Sequence, residues 1–222
     1  MAISKAKAVS AINKRGVLLV YPLQNRKEPL SLWSELFPRT KMRWEWDEDG
    51  DSRVTDLWHM RARLSTSREV VYAKWFQNRA TFFSKEVFIH MLAFLRNEAP
   101  LPRESAQLYE VLEMDSSLST KQLKEATELQ GRYLESTYER AMKVLWRRLW
   151  IVGFGEVEDS SFPSLAIGAT RLMFEELWEE SMLIGAKEAA DMLEEKLGPQ
   201  NPFWRFAQKI QRVDFQKQTQ RV

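Results

Sequence analysis

Arg132, Ser136, Arg140, Lys143 and Arg147 recur at three- and four-residue spacing, with Arg148 beside them. On a helix that spacing gathers side chains onto one face. A cationic stripe of this kind suits a phosphate backbone or a guanine edge. Leu134, Tyr138, Ala141, Leu145 and Leu149 follow the same spacing on another face and are expected to be buried. Glu135 and Glu139 border the stripe and weaken it. The pattern equally describes the solvated face of any amphipathic helix, with Glu139 and Lys143 as a simple i,i+4 pair. A second basic cluster, Arg205, Lys209, Arg212, Lys217 and Arg221, is opposed only by Asp214. It reads as an arm along phosphates or as a solvated tail.

Trp44 and Trp46 alternate with acids in the run Glu45, Asp47, Glu48, Asp49 and Asp51. Two exposed indoles there could stack an extruded base, although filling a core is the commoner role for tryptophan. The acids do not follow the spacing of a calcium loop, so a solvated acidic loop is the simpler reading. The chain has no cysteine, which removes thiol nucleophiles, disulfides and most structural zinc sites. The two histidines, His59 and His90, fall in different predicted helices, and no metal site or other cofactor is expected. A Gly-rich phosphate loop, a nucleophile elbow and a dinucleotide fingerprint are all missing, and no catalytic residue is identified.

These residues must be positioned by a folded scaffold. The 222 residues are 44% apolar and 29% charged, enough for one large or two small domains with real cores. Net charge is only +2, so any nucleic-acid binding must come from local clustering. No apolar stretch is long enough to span a membrane, and residues 1–14 lack the apolar core of a signal peptide. The cytoplasm is the expected compartment, at the nucleoid if DNA is bound, and no membrane partner is expected.

Local signals divide the chain. Ser4 caps a first helix that stops at Gly16, residues 17–21 form a strand, and Ser31 caps a short helix ended by Pro38. Residues 42–51 read as irregular, and a helix follows to about Leu64. Residues 70–77 and 79–83 form strands joined at Gln77-Asn78, and Ser84 caps the next helix. Residues 97–103, with Pro100 and Pro102, mark a boundary. Beyond it come a helix, a short helix capped at Ser119-Thr120, a long helix to about Leu149, and strands on either side of a tip at residues 158–161. A long helix is then expected from Thr170 towards Lys196, followed by a last one at 203–211. No internal repeat is visible.

The fold class is therefore mainly α with small β-hairpins, and the second half has the element order of a winged helix-turn-helix. The expected domains are residues 1–98, a helical and hairpin unit that is itself a degenerate winged helix in a tandem arrangement; residues 104–170, the winged helix; and residues 171–222, C-terminal helices with a basic tail.

Two stretches carry a resemblance. Residues 72–84, Tyr-Ala-Lys-Trp-Phe-Gln-Asn-Arg-Ala-Thr-Phe-Phe-Ser, resemble a strand-turn-strand segment of the AlkZ-like DNA glycosylases. Those enzymes excise alkylated or crosslinked bases with tandem winged helices. Residues 138–142 and 149–156 are similar to the winged helix of the shorter AlkZ-related proteins, which residues 16–23 and Ser31-Leu32-Trp33 also fit. The similarity spans most of residues 1–170. It implies a relation to DNA repair, with double-stranded DNA, intact or damaged, as the partner. The glycosylases carry Gln-x-Gln or Gln-x-Asp after the first helix, and sliding that pattern onto residues 16–24 puts Leu19 and Tyr21 at the polar positions. A leucine cannot hold water, and a phenol of ordinary pKa, about 10, is a poor base at neutral pH.

The resulting expectation is a non-catalytic or weakly catalytic DNA-binding winged-helix protein. Two alternatives stand beside it. One is an active glycosylase with a relocated carboxylate, Glu45 or Asp47. The other is a protein-interaction module that dimerises through the helix at 170–197, whose apolar series is Leu172, Phe174, Leu177, Trp178 and Leu183.

Overall fold

The computed structural model describes residues 3–44, 50–97, 99–159 and 163–219, the last six of these as helix backbone. The chain runs α1 (Lys5–Arg15), β1 (Val17–Leu19), α2 (Leu32–Leu36), α3 (Arg53–Ser65), β2 (Val71–Lys74), a 3-10 turn (Phe76–Asn78) and β3 (Ala80–Phe83). After α4 (Lys85–Leu95) come α5 (Arg103–Met114), β4 (Leu118–Ser119), α6 (Thr120–Ala126), α7 (Glu135–Arg147), β5 (Ile151–Val157) and β6 (Ser164–Ala169). The remainder is helical: α8 (Thr170–Met173), α9 (Glu175–Leu183), α10 (Ala186–Leu197) and α11 (Pro202–Thr219). The fold is mainly α with small antiparallel β elements. Among the described residues no helix is long and apolar enough to cross a membrane.

Short polar side chains set the helix starts. Ser4, Ser31 and Ser84 each accept a hydrogen bond from a backbone N–H in the first turn of α1, α2 and α4. At α6 the cap is reciprocal: Ser119 accepts from the Gln122 amide while the Gln122 side chain accepts from the Ser119 amide. Gln77 and Asn78 both adopt positive φ, 51° and 61°, which turns β2 back into β3 with the twist a tight hairpin needs.

Although the amino-acid sequence reveals no repeat, the order of elements repeats. Helix, strand, helix, helix and hairpin occur first as α1 to β3 and again as α5 to β6. In each half the isolated strand pairs antiparallel with the far arm of the hairpin, β1 with β3 and β4 with β6. The two triplets join through β2 and β5 into one six-stranded sheet of order β1-β3-β2-β5-β6-β4.

The join rests on a glycine. Gly153 pairs with Tyr72, and a Cβ added there would sit 2.4 Å from the Tyr72 ring. Beside it, Arg61 of α3 is buried, pairs with the Glu156 carboxylate of β5, donates to the Tyr72 hydroxyl at 3.4 Å and lies 3.8 Å from the centre of the Trp58 ring. The Gly155 amide donates to Ser65 Oγ at 3.0 Å. One hydrophobic core lies within the first half, around Ile12, Trp33, Leu57 and Phe82. The larger core draws on both halves and on α4, α9, α10 and α11.

The long helix expected from Thr170 is instead three helices. The chain leaves helical geometry at Phe174, where φ is −138°, and again at Ile184-Gly185. Phe174 and Leu177 turn into the molecule's own core, and Trp178 packs edge-on to Trp150, whereas Leu172 and Leu183 face outward. The apolar series therefore does not form one stripe on one helix.

Candidate nucleic-acid interface

Helix α7 buries Tyr138, Ala141, Met142, Leu145 and Trp146 against the larger core. Leu149 is also buried, just past its end, but Leu134 is 38% exposed and does not complete the expected face. The reason is that α7 starts after Leu134, beyond a turn at Gly131 whose φ is 91°.

The opposite face carries Ser136, Arg140, Lys143 and Arg147, all exposed, with Arg132 exposed in the preceding turn. At 1.5 Å rise per residue, Ser136 to Arg147 spans about 17 Å of helix. None of these four cations forms an ion pair with another described residue. Glu135, one of the bordering acids, turns away and pairs with Lys124 of α6 at 2.6 Å. Tyr133 is almost wholly exposed beside Arg132.

Arg148 does not belong to this face. It is buried, donates to the Ala99 carbonyl at 3.2 Å, and its guanidinium lies 5.6 Å from the centre of the Trp150 ring. One residue is about 100° of helix, enough to carry a side chain from the solvent face into the body.

The stripe ends in a recess that local sequence does not announce. A groove of about 560 Å³ is lined by Lys74, Trp75, Phe76, Gln77 and Asn78 of the β2–β3 hairpin, Lys143, Trp146 and Arg147 of α7, and Pro202, Arg205, Phe206 and Lys209 of α11. Five cations and no acid line it. Trp75 and Trp146 are buried in its floor, and Trp75 Nε1 donates to the Arg147 carbonyl at 3.2 Å, tying hairpin to helix. Phe206 stands half-buried, its ring 5.1 Å from that of Trp75 and 4.9 Å from that of Phe76. At the start of α11, Asn201 Oδ1 accepts from the Phe203 and Trp204 amides. The groove's positive character therefore comes from side chains. Arg205 hydrogen-bonds Gln200, and Arg212, further along α11, is exposed. The side chains of Asp214 and Lys217, and all of Arg221, lie outside the described residues.

The other candidate positions are scattered. Trp44 is 38% exposed and packs against Tyr21, ring centres 5.5 Å apart. Trp46, Glu45 and Asp47 lie outside the described residues, as do Ser160 and Ser161 of the hairpin tip. Asp159, just before these serines, accepts a hydrogen bond from Ser119 Oγ, which holds its carboxyl below the usual carboxylate range and ties Asp159 to the start of α6. Leu19 is buried in β1. The Tyr21 hydroxyl donates to the Val54 carbonyl at 2.8 Å, and burial raises its pKa above the ordinary tyrosine value. It is a committed donor and not a base. Among the described residues no group of His, Asp and Glu is arranged to hold a metal ion.

No curated protein and no solved structure matches the chain. A family model described as AlkZ related matches residues 4–204, nearly the whole length, and the chain belongs to the AlkZ-related family.

Proposed function

We propose that this protein binds double-stranded DNA, with α7 as the recognition helix of the second of two tandem winged helices. In this reading residues 1–98 and 104–170 are the two winged units, and residues 171–222 brace them. The observation that carries it is the exposed row of Arg132, Ser136, Arg140, Lys143 and Arg147, whose cations have no carboxylate partner among the described residues. A solvated helix face normally mixes signs and forms i,i+4 pairs. Here Glu135 pairs with Lys124 of α6, and Glu139, four residues before Lys143, forms no ion pair with it. The repeated helix-strand-helix-helix-hairpin order supports the tandem assignment, and membership of the AlkZ-related family supports a role related to DNA repair.

The binding is non-catalytic or weakly catalytic. At the positions where the related glycosylases carry a polar pair stand Leu19, which has no polar side-chain atom, and Tyr21, whose hydroxyl already donates to Val54. Fluorescence anisotropy with a short duplex at low and moderate salt tests the binding. Affinity should fall steeply with salt, and the absence of binding at low salt would remove the proposal. Incubation with alkylated duplex should release no base above background.

A further inference from the structure

We infer that the groove between the β2–β3 hairpin, α7 and α11 is a site for a single-stranded phosphodiester chain, adjoining the α7 stripe and sharing Lys143 and Arg147 with it, and entered by the unpaired end of a bound duplex. The inference rests on the duplex reading for its setting, but its evidence is the groove itself. A recess of about 560 Å³ lies within the range of small-ligand pockets, about 300–1,000 Å³, and cannot enclose a duplex. It can admit a nucleotide or two of one strand.

Its chemistry matches that occupant. Proteins that hold single strands combine a cationic groove that follows the phosphates with an aromatic surface on which bases stack. Lys143 and Arg147 lie one turn apart on α7, and Arg205 and Lys209 one turn apart on α11, about 6 Å of rise in each case. Lys74 comes from the hairpin, so the cations extend over at least a helical turn of the groove. That distribution suits successive phosphates better than one. Phe206 supplies the half-exposed ring, and Gln77 and Asn78 place exposed amides at the rim.

Lys74 adds an independent indication. It is half-buried and forms no ion pair with any described residue; burial, and then the like charge of Arg61, hold its ammonium below the ordinary lysine pKa. A partly desolvated cation without a counter-charge is unfavourable, and a phosphate in the groove relieves that.

The experiment measures a ratio. Affinity is compared for a blunt duplex and for the same duplex with a single-stranded extension of about five nucleotides, within the range one single-strand-binding module covers. The extension should tighten binding about tenfold. In the Lys74→Gln, Lys209→Gln double variant the ratio should fall to within twofold of one. Arg205→Gln, at an exposed position, serves as a second variant should the first fold poorly. A ratio near one for the unmodified protein overturns the groove inference and leaves the duplex reading standing. A ratio that persists in both variants places the preference elsewhere and also overturns it.

If no duplex binds at low salt, the duplex reading fails, and free oligothymidylate decides for the groove. Binding lost in the double variant upholds the groove as a strand site, whereas no binding removes it. Competition separates the two sources of phosphate ester. Displacement by the oligonucleotide, but not by thymidine monophosphate at equal phosphate concentration, is the expected result. Equal displacement by the mononucleotide would assign the groove to small nucleotides instead.

Discussion

Removing Arg140 and Arg147 together should halve the salt dependence of duplex binding. Each neutralised phosphate releases counterions, so log affinity falls with log salt at a slope of about −0.9 per contact. With Arg132, Arg140, Lys143 and Arg147 all engaged, the slope is about −3.6, a loss of about 150-fold between 50 and 200 mM salt. In Arg140→Gln, Arg147→Gln the slope falls to about −1.8 and the loss to about 12-fold. Both side chains are exposed and unpaired among the described residues, so folding stability should change by no more than about 0.5 kcal/mol. Anisotropy titrations of a blunt duplex at four salt concentrations, with urea unfolding of each variant, give both quantities. A slope unchanged within about 0.5 in a properly folded double variant would refute the assignment, because phosphates held by this face cannot ignore the loss of two of its four cations.

Three further outcomes concern the scaffold. Gly153→Ala should destabilise the protein by about 2 kcal/mol through overpacking, since the new methyl meets the Tyr72 ring where the two halves join; an unchanged urea midpoint would show that the junction yields. Glu156→Ala leaves the buried Arg61 guanidinium without its carboxylate and should cost about 3 kcal/mol, measurable in the same assay. A loss below about 1 kcal/mol would mean that solvent reaches the guanidinium freely. Burial above all raises the phenol pKa values of Tyr21, Tyr109 and Tyr138, the last to about 12. The folded state therefore keeps protons that the unfolded chain releases near pH 10, so stability holds below about pH 10 and is lost as pH rises beyond it. Tyr21→Phe should reduce that alkaline loss, whereas a stability curve flat from pH 9 to 11 would contradict the burial argument.

The amino-acid sequence by itself determined what depends on neighbours a few residues apart. The serine caps at positions 4, 31, 84 and 119, the hairpin turn at Gln77-Asn78, and the two faces of α7 were all legible, because a cap spans three residues and a helix face repeats every three or four. Tertiary packing overrides the local pattern at two places. Arg148 continues the basic run yet is drawn inward to Ala99 and Trp150. The pattern from Thr170 to Lys196 reads as one helix, but Phe174 is pulled into the core and the chain breaks around it.

Only the tertiary structure decided that Lys74, Lys143, Arg147, Arg205 and Lys209 share one groove. Lys74 carries no local mark, being the last residue of an ordinary strand, and the C-terminal cluster alone reads more readily as a solvated tail than as an arm. Their convergence follows from the pairing of β2 with β5 at Gly153 and from the docking of α11 through Phe203 and Phe206 onto Phe76. Those contacts join residues far apart in the chain, and their strength lies in shape and buried area between surfaces, which no periodicity within one segment encodes.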